Sequence, residues 1–299
     1  MRGSGSSPLL LEGWRLRVGG MAIVEGVLMI GKRAVIGVRK KDEIVLEDLG
    51  SLKRGKLSRI PFVRGFYNLY YTLSLGLKAL NRSVEIVEGQ EMKKGEKIFS
   101  IVLAFLLAIG LFFYLPMLIT YLLKPLRGNE FLFSLIEGLV RIFIFVLYVW
   151  IISFMEDVRR MFMYHGAEHK AINAFEAGDL SVENAMRQSR IHERCGTNFL
   201  MIFLISSVLV FSFLSIFFAP TLAYRLVSRV VLIPVLASVS YELLILSSKS
   251  RMVSLLINSP GKLLQLVTTR EPTEEMVEVA IRALEESLKG EGEEIEIMA

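Results

Sequence analysis

The sequence predicts an α-helical polytopic membrane protein with about four transmembrane helices and a small cytosolic α+β part. Three observations predict it. Four apolar runs, carrying few charges or none, are each long enough to cross about 30 Å of hydrocarbon. Lys and Arg gather in alternate connections between those runs, as the positive-inside rule requires. Short Val- and Ile-rich stretches near the N-terminus, separated by turn residues, have strand character.

The composition agrees, with 53% apolar residues and a mean hydropathy of +0.51 over 299 residues. That excludes a disordered chain, a collagen and a disulfide scaffold. One Cys cannot form an intramolecular disulfide, and nothing points to an oxidising compartment. The net charge of +5 invites a nucleic-acid reading. The basic residues follow the topology instead, so the lipid bilayer is the expected partner and nucleic acid is not.

Residues 1–17 read as a tag remnant or disordered start, since Met1 to Ser7 spell MRGSGSS, and no signal peptide is visible. Residues 18–60 form a β-rich cytosolic region. Strands are expected over 22–30 and 34–39, separated by Gly31-Lys32-Arg33, with a third run at 44–46. Gly19-Gly20 and Glu25-Gly26 interrupt the pattern where a bulge or close backbone contact fits. Residues 61–97 hold a helix and a connection. Phe62, Phe66, Tyr67, Tyr70 and Tyr71, with Arg64 and Lys78 towards the ends, suit an interfacial or re-entrant helix better than a span.

Spans are expected at 98–123, 131–154, 199–219 and 226–247. They make a first pair within 98–154 and a second within 199–247, on either side of a cytosolic metal-binding loop at 155–198. Pro116 and Pro234 lie inside spans and should kink them. Glu137 and Arg141, four apart on one helix face, are expected to neutralise each other. Glu242 has no local partner and is expected to face the cytosolic interface near the loop. Glu25 is either a strand-edge charge or a buried group aimed at the same place. Lys and Arg number 18 before the first span, six in 155–198 and six after the last span, against two in 124–130 and one in 220–225. Both termini and the 155–198 loop are therefore expected in the cytoplasm.

The tail, 248–299, should be cytosolic and helical. A short apolar helix near 262–267 follows Ser259-Pro260-Gly261. A second helix begins at Thr273 as N-cap, with Glu274 and Glu275 in its first turn. Val277, Ile281, Leu284 and Leu288 share one face of it, suited to packing on the N-terminal sheet. From Glu271 onward ten Glu face only Arg282 and Lys289 as cations, an acidic solvated end.

The chemistry concentrates in one place. All three His and the single Cys lie within 31 residues: His165, His169, His192 and Cys195. His165 and His169, at i and i+4, share a helix face. His192 and Cys195, at i and i+3, suit a helical turn or a tight knuckle. Two such pairs brought together offer four N/S ligands, the set tetrahedral Zn²⁺ takes, so Zn²⁺ is the expected cofactor. His165-Gly166-Ala167-Glu168-His169 also fits the H-x-x-E-H pattern of inverted zincins, which would make Glu168 the catalytic proton acceptor. A third ligand would then leave one position for water, and Glu176, Glu183 or Glu242 could serve as the downstream carboxylate. Four protein ligands would instead close the shell and mark a structural site, with Glu168 orienting an imidazole. The residues support both readings about equally.

The segments Gly19-Gly20-Met21-Ala22-Ile23-Val24-Glu25-Gly26-Val27, Tyr164-His165-Gly166-Ala167-Glu168-His169-Lys170 and His192-Glu193-Arg194-Cys195-Gly196-Thr197-Asn198-Phe199 carry a family resemblance, as do Pro260-Gly261 and Thr268-Thr269-Arg270-Glu271-Pro272. Together they resemble the YqhQ-like bacterial membrane proteins, a family labelled as predicted metal-dependent enzymes without an established substrate. The resemblance implies a bacterial inner-membrane location, and it places His165, His169, His192 and Cys195 at the family's motif positions, with Glu168 between the first pair. Glu193 stands where the family typically has Pro, and Asn198 where it typically has Ser. Two functions follow as expectations. One is a metal-dependent hydrolase acting at the cytosolic membrane face. The other is a non-enzymatic channel, transporter or assembly factor, homo-oligomeric where it forms a pore, with zinc stapling the 155–198 loop.

Overall fold

The computed structural model describes residues 18–51, 58, 60–89, 94–123, 128–218, 222–247 and 250–289. The expectation for 1–17 and the end of the acidic tail lie outside these residues.

Four antiparallel strands, β1 (Gly19–Ile23), β2 (Gly26–Ile30), β3 (Arg33–Lys40) and β4 (Glu43–Ser51), follow one another as a meander. The single strand expected over 22–30 is thus two strands. Ile23 pairs with Gly26, which leaves Val24-Glu25 as a two-residue hairpin turn. Glu25 takes φ +50° there, a left-handed conformation that a tight turn demands. Gly26 is required by a close approach, since a Cβ on it would come within 2.9 Å of Val38 Cα on β3. The Glu25 carboxylate pairs with the Arg160 guanidinium at 2.6 and 2.5 Å, so it closes a turn and does not reach the candidate centre.

β2 reads G-V-L-M-I and is buried along its whole length because both sheet faces are covered. Alternation divides its side chains. Leu28 and Ile30 face α1 (Arg64–Glu88) through Ala79, Leu75 and Tyr71. Val27 and Met29 face α5 (Glu156–Glu176) and α10 (Glu274–Leu288). α10 begins as its sequence suggests: Met276 N–H donates to Thr273 Oγ1 at 3.4 Å, and Val277, Ile281 and Leu284 are buried. α1 leaves a stripe of Phe66, Tyr70, Leu73 and Leu77 exposed. Its first turn is fixed by a two-pronged pair, Arg64 Nε to Glu242 Oε1 at 2.8 Å and Nη2 to Oε2 at 2.6 Å. Glu242 therefore does not face the candidate metal centre.

Among the described residues four helices are long and apolar enough to cross a membrane: Ile98–Leu122, Glu130–Ile152, Gly196–Phe217 and Val227–Ser247. The first combines α2 (Lys94–Ile109), a π-turn at Gly110–Tyr114 and α3 (Leu115–Leu122). The others are α4 (Glu130–Ile152), α7 (Gly196–Phe217) and α8 (Leu222–Ser247). α4 and α7 approach closely at Gly138, where a Cβ would come within 2.6 Å of Val208 Cγ2. Proline leaves its mark on the first of them. Pro116 has no N–H to return to the carbonyl of Phe112, four residues back. Arg141 Nε supplies that missing donor at 2.9 Å, from α4. The other end of the Arg141 guanidinium donates to Glu137 Oε1 at 2.6 Å, the pairing read from the sequence. Arg229 of α8 donates to the same oxygen. All three side chains are buried.

The tail departs from expectation. The short helix expected near 262–267 is α9 (Arg251–Thr268), which carries Pro260 in its interior. Proline at that point costs one ladder hydrogen bond but does not end the helix.

The shared carboxylate of Glu137 makes a direct prediction. Glu137→Leu strips two buried guanidiniums of a partner, and breaking a buried pair in this way costs about 3–5 kcal/mol. Glu137→Leu should yield markedly less folded protein in detergent than Leu139→Ala, an exposed change on the same helix, by size-exclusion profile and thermal midpoint.

Candidate metal centre

α5 starts four residues after α4 ends, with Glu156 and Asp157 in its first turn, where carboxylates suit the positive end of a helix. Its buried face is unusual in composition. Tyr164, Glu168, His169 and Lys170 are buried among Gly166, Ala167, Ala171 and Ala174. The small residues let neighbouring backbone come close. A Cβ on Gly166 would run into the Arg270 carbonyl, and the Arg270 N–H donates to the Phe162 carbonyl at 2.8 Å. The polar residues must then find partners, because an unpaired buried polar group costs about 1–3 kcal/mol.

For Lys170 and Asn173 they come from the segment between α5 and α7, while the buried Tyr164 hydroxyl has no hydrogen-bond partner among the described residues. Lys170 Nζ donates to the carbonyls of Met186 and Gln188, both at 2.8 Å, and pairs with Glu271 at 2.8 Å. Asn173 Nδ2 donates to the Ser189 carbonyl at 2.7 Å. The segment contains the short helix α6 (Val182–Arg187), capped by Ser181 Oγ as the sequence suggested. It ends at Cys195, the N-cap of α7, whose sulfur accepts from Thr197 N–H at 3.4 Å.

His165, His169 and Cys195 converge. Each offers one ligand atom, and these atoms lie within 4.8 Å of one another, with His165 Nε2 at 3.3 Å from Cys195 Sγ. Each imidazole is oriented from behind by a main-chain carbonyl. His165 Nδ1 lies 2.9 Å from the Thr268 carbonyl, and His169 Nδ1 lies 2.7 Å from that of Arg190. A carbonyl only accepts, so Nδ1 carries the hydrogen in both rings and Nε2 keeps a free lone pair. A backing carbonyl of this kind is the usual companion of a metal-bound His.

His192 is not among the converging groups. Its ring centroid is 5.7 Å from that of His169, but both nitrogens are turned elsewhere. Nδ1 accepts from Arg194 N–H at 3.3 Å, and Nε2 faces Glu176 Oε2 at 3.7 Å. Burial pulls the His192 pKa down to about 4, so at neutral pH this is a neutral ring beside a carboxylate and not an ion pair. Gln265 fixes its backbone, accepting from the His192 N–H and donating to the His192 carbonyl, each at 3.0 Å. Of the carboxylates weighed as a downstream ligand, Glu176 turns to His192 and Arg194, Glu183 pairs in solvent with Arg187, and Glu242 pairs with Arg64.

Glu168 is buried beside the cluster, between α5 and β1. A Cβ on Gly20 would come within 2.8 Å of Glu168 Cγ and 2.9 Å of its Oε1. Burial pushes its pKa up to about 8, against the opposing pull of His165. Burial and then the neighbouring charge of His165 lower the His169 pKa. Burial would raise the Cys195 thiol, but the charge and hydrogen bond of His169, together with Thr197, outweigh it and bring the thiol below its ordinary value. The cluster therefore combines the His169 imidazole, held towards its neutral form, with a thiol inclined to ionise. That donor set suits Zn²⁺, a borderline-soft ion bound by imidazole and thiolate.

The sequence gives Gln265, Thr268 and Arg190 no role at the cluster, although Thr268 opens one of the stretches that carry the family resemblance. Two of them act through backbone carbonyls, which no side-chain pattern reports.

Comparison with known proteins adds the following. The family model described as "Protein of unknown function (DUF1385)" matches residues 60–290. The chain is 34% identical over 297 residues to "Uncharacterized protein YqhQ" of Bacillus subtilis (strain 168), covering 91% of this chain and 92% of that protein. No solved structure matches.

The geometry separates the four sequence-predicted ligands into two groups. In purified protein, His165→Ala, His169→Ala and Cys195→Ser should each lose most bound metal, whereas His192→Ala should keep close to the wild-type stoichiometry, read by plasma mass spectrometry. Equal loss in all four would place His192 in the ligand set.

Proposed function

The chain belongs to the DUF1385 family of proteins of unknown function, and on that premise we propose that it is an integral membrane zinc protein with hydrolytic capacity at the cytosolic membrane face. One observation carries the proposal. Three side chains, His165, His169 and Cys195, converge with both imidazoles set by backbone carbonyls, while His192 is engaged elsewhere. Three protein ligands are the number found in catalytic zinc sites, where the remaining position takes water or substrate. A zinc ion held there supplies a Lewis acid and lowers the pKa of a coordinated water to about 7.

The residues of this chain do the rest. Thr268 and Arg190 hold the rings in one tautomer. Cys195, placed as N-cap of α7, presents its sulfur to His165. Glu168, next in sequence to His169 and buried beside the cluster, is the carboxyl that would exchange a proton there, and its pKa of about 8 keeps it largely protonated at neutral pH, so it gives a proton before it takes one. The location rests on the four apolar helices and on the 18 and six Lys and Arg residues in the segments placed inside. The exposed stripe of α1 supports an interfacial position for that helix.

A second reading is favoured by burial. Glu168 and His169 are at most 4% exposed and Cys195 6%, which suits zinc as a staple between α5 and the root of α7. The two readings differ in one testable property that needs no substrate. In Co²⁺-substituted protein, azide or a hydroxamate should shift the visible ligand-field bands if a coordination position is open. Glu168→Gln should keep the metal and the bands but alter their pH dependence. Bands indifferent to both added ligands would leave only the staple.

A further inference from the structure

α9 is built inside out. Every exposed residue described in it is Met or Leu: Met252, Leu255, Leu256, Leu263 and Leu266. Its buried positions are polar or small with one exception. Ser254, Asn258, Gly261 and Gln265 recur at spacings of four, three and four, with Leu264 the only apolar member. At its C-cap Thr269 continues that buried row. A helix facing water buries its apolar stripe and exposes its polar one. Here Leu256 is 76% exposed and Gln265 0%.

Most of the polar row is occupied; Asn258 Nδ2 donates to Ser254 Oγ at 3.2 Å, and its Oδ1 has no partner among the described residues. Ser254 Oγ donates to Glu193 Oε1 at 3.2 Å, Gln265 Nε2 donates to Asn198 Oδ1 at 3.0 Å, and Thr269 Oγ1 donates to the Gln265 carbonyl at 2.7 Å. A Cβ on Gly261 would lie 2.5 Å from Asn198 Cα, so α9 rests directly on the first turn of α7. Leu264 and Val267 then reach Met201 and Leu204 of α7 and Val149 near the end of α4. α8 ends at Ser247, four residues before α9 starts. The helix therefore packs on the first turns of α7 and near the end of α4 and follows the end of α8, and its outer face is apolar, as are the exposed faces of α7 and α8, among them Leu209 and Val231.

We infer that α9 is an in-plane helix of the cytosolic leaflet, with Met252, Leu255, Leu256, Leu263 and Leu266 immersed in lipid and its polar face forming the membrane-side wall of the metal cluster. This rests on the reading of four spans. The occupant is lipid because the face is without charge, belongs to a helix packed at the ends of candidate spans, and lies back to back with a polar row that no aqueous helix would bury. The same helix carries the Thr268 carbonyl that orients His165, so the cluster is anchored to an element seated in the bilayer surface.

The test is collision accessibility of nitroxide labels in phosphatidylethanolamine–phosphatidylglycerol vesicles. Labels go on Leu256→Cys, Leu263→Cys, Leu209→Cys and Glu183→Cys, with unsubstituted protein as the blank for buried Cys195. Oxygen should outcompete a polar nickel chelate several-fold at 256, 263 and 209, with the reverse at 183. If 209 reads lipid but 256 and 263 read water, α9 is not in the leaflet. Shielding of 256 and 263 from both quenchers would mean that protein, such as a second copy, covers the face, and would overturn the inference. Water at 209 would overturn the spans themselves.

Discussion

The structure around the cluster follows from one constraint: α5 buries four titratable side chains, Tyr164, Glu168, His169 and Lys170, within two turns. Burying a polar group costs free energy unless it is hydrogen-bonded or neutralised, a cost that α5 escapes at His169 and Lys170 and bears at the Tyr164 hydroxyl, which has no partner among the described residues. α5 cannot meet that demand from its own ladder. Lys170 and Asn173 therefore draw in the 186–191 segment through its carbonyls, and the Arg190 carbonyl arrives at His169 as part of the same run. On the other side Gly166 admits the Arg270 backbone, which brings the Thr268 carbonyl to His165. The two orienting carbonyls are thus consequences of how the helix satisfies its buried polar groups.

What the sequence reveals is set by which of these relations are local. The i, i+4 spacing of His165 and His169, the caps at Ser181 and Thr273, and the apolar face of α10 depend on one helix each and are legible from residue type and spacing. The fate of His192 is not local. Its nitrogens go to Arg194 and Glu176, and Gln265 holds its backbone from 73 residues away. The i, i+3 spacing to Cys195 is real, but Cys195 is a helix cap with its sulfur turned to His165, so the two side chains diverge. The hairpin at Val24-Glu25 was hidden for a different reason: apolar residues continue through it, and only Glu25-Gly26 marks the turn.

Pro260 misled in the opposite direction. Proline before glycine usually ends a helix, and the apolar residues after it suggested a short element beginning there. The helix persists because tertiary contacts on both sides of Pro260 hold it, Ser254 to Glu193 before it and Gln265 to Asn198 after it. Pro116 is the complementary case. Its effect is local and legible, a freed carbonyl at Phe112, but the donor that repairs it, Arg141, belongs to another helix. Arg141 was readable as a partner of Glu137 and not as the remedy for a proline, because that second role exists only once α4 packs against the π-turn.

Burial and openness at the cluster can be reconciled through α9. A site with three protein ligands and a neighbouring carboxyl has the components of hydrolysis, yet His169 and Glu168 are almost wholly covered. The membrane-side cover is α9, whose grip on the cluster is polar and whose outer face makes no claim on the protein at all. α9 is held by hydrogen bonds and by one small apolar contact, Leu264 and Val267 on Met201, Leu204 and Val149, so less buried apolar surface resists its opening than in a large core. The sheet side offers no such freedom, since Gly20 and β1 close on Glu168 with no room for a methyl group.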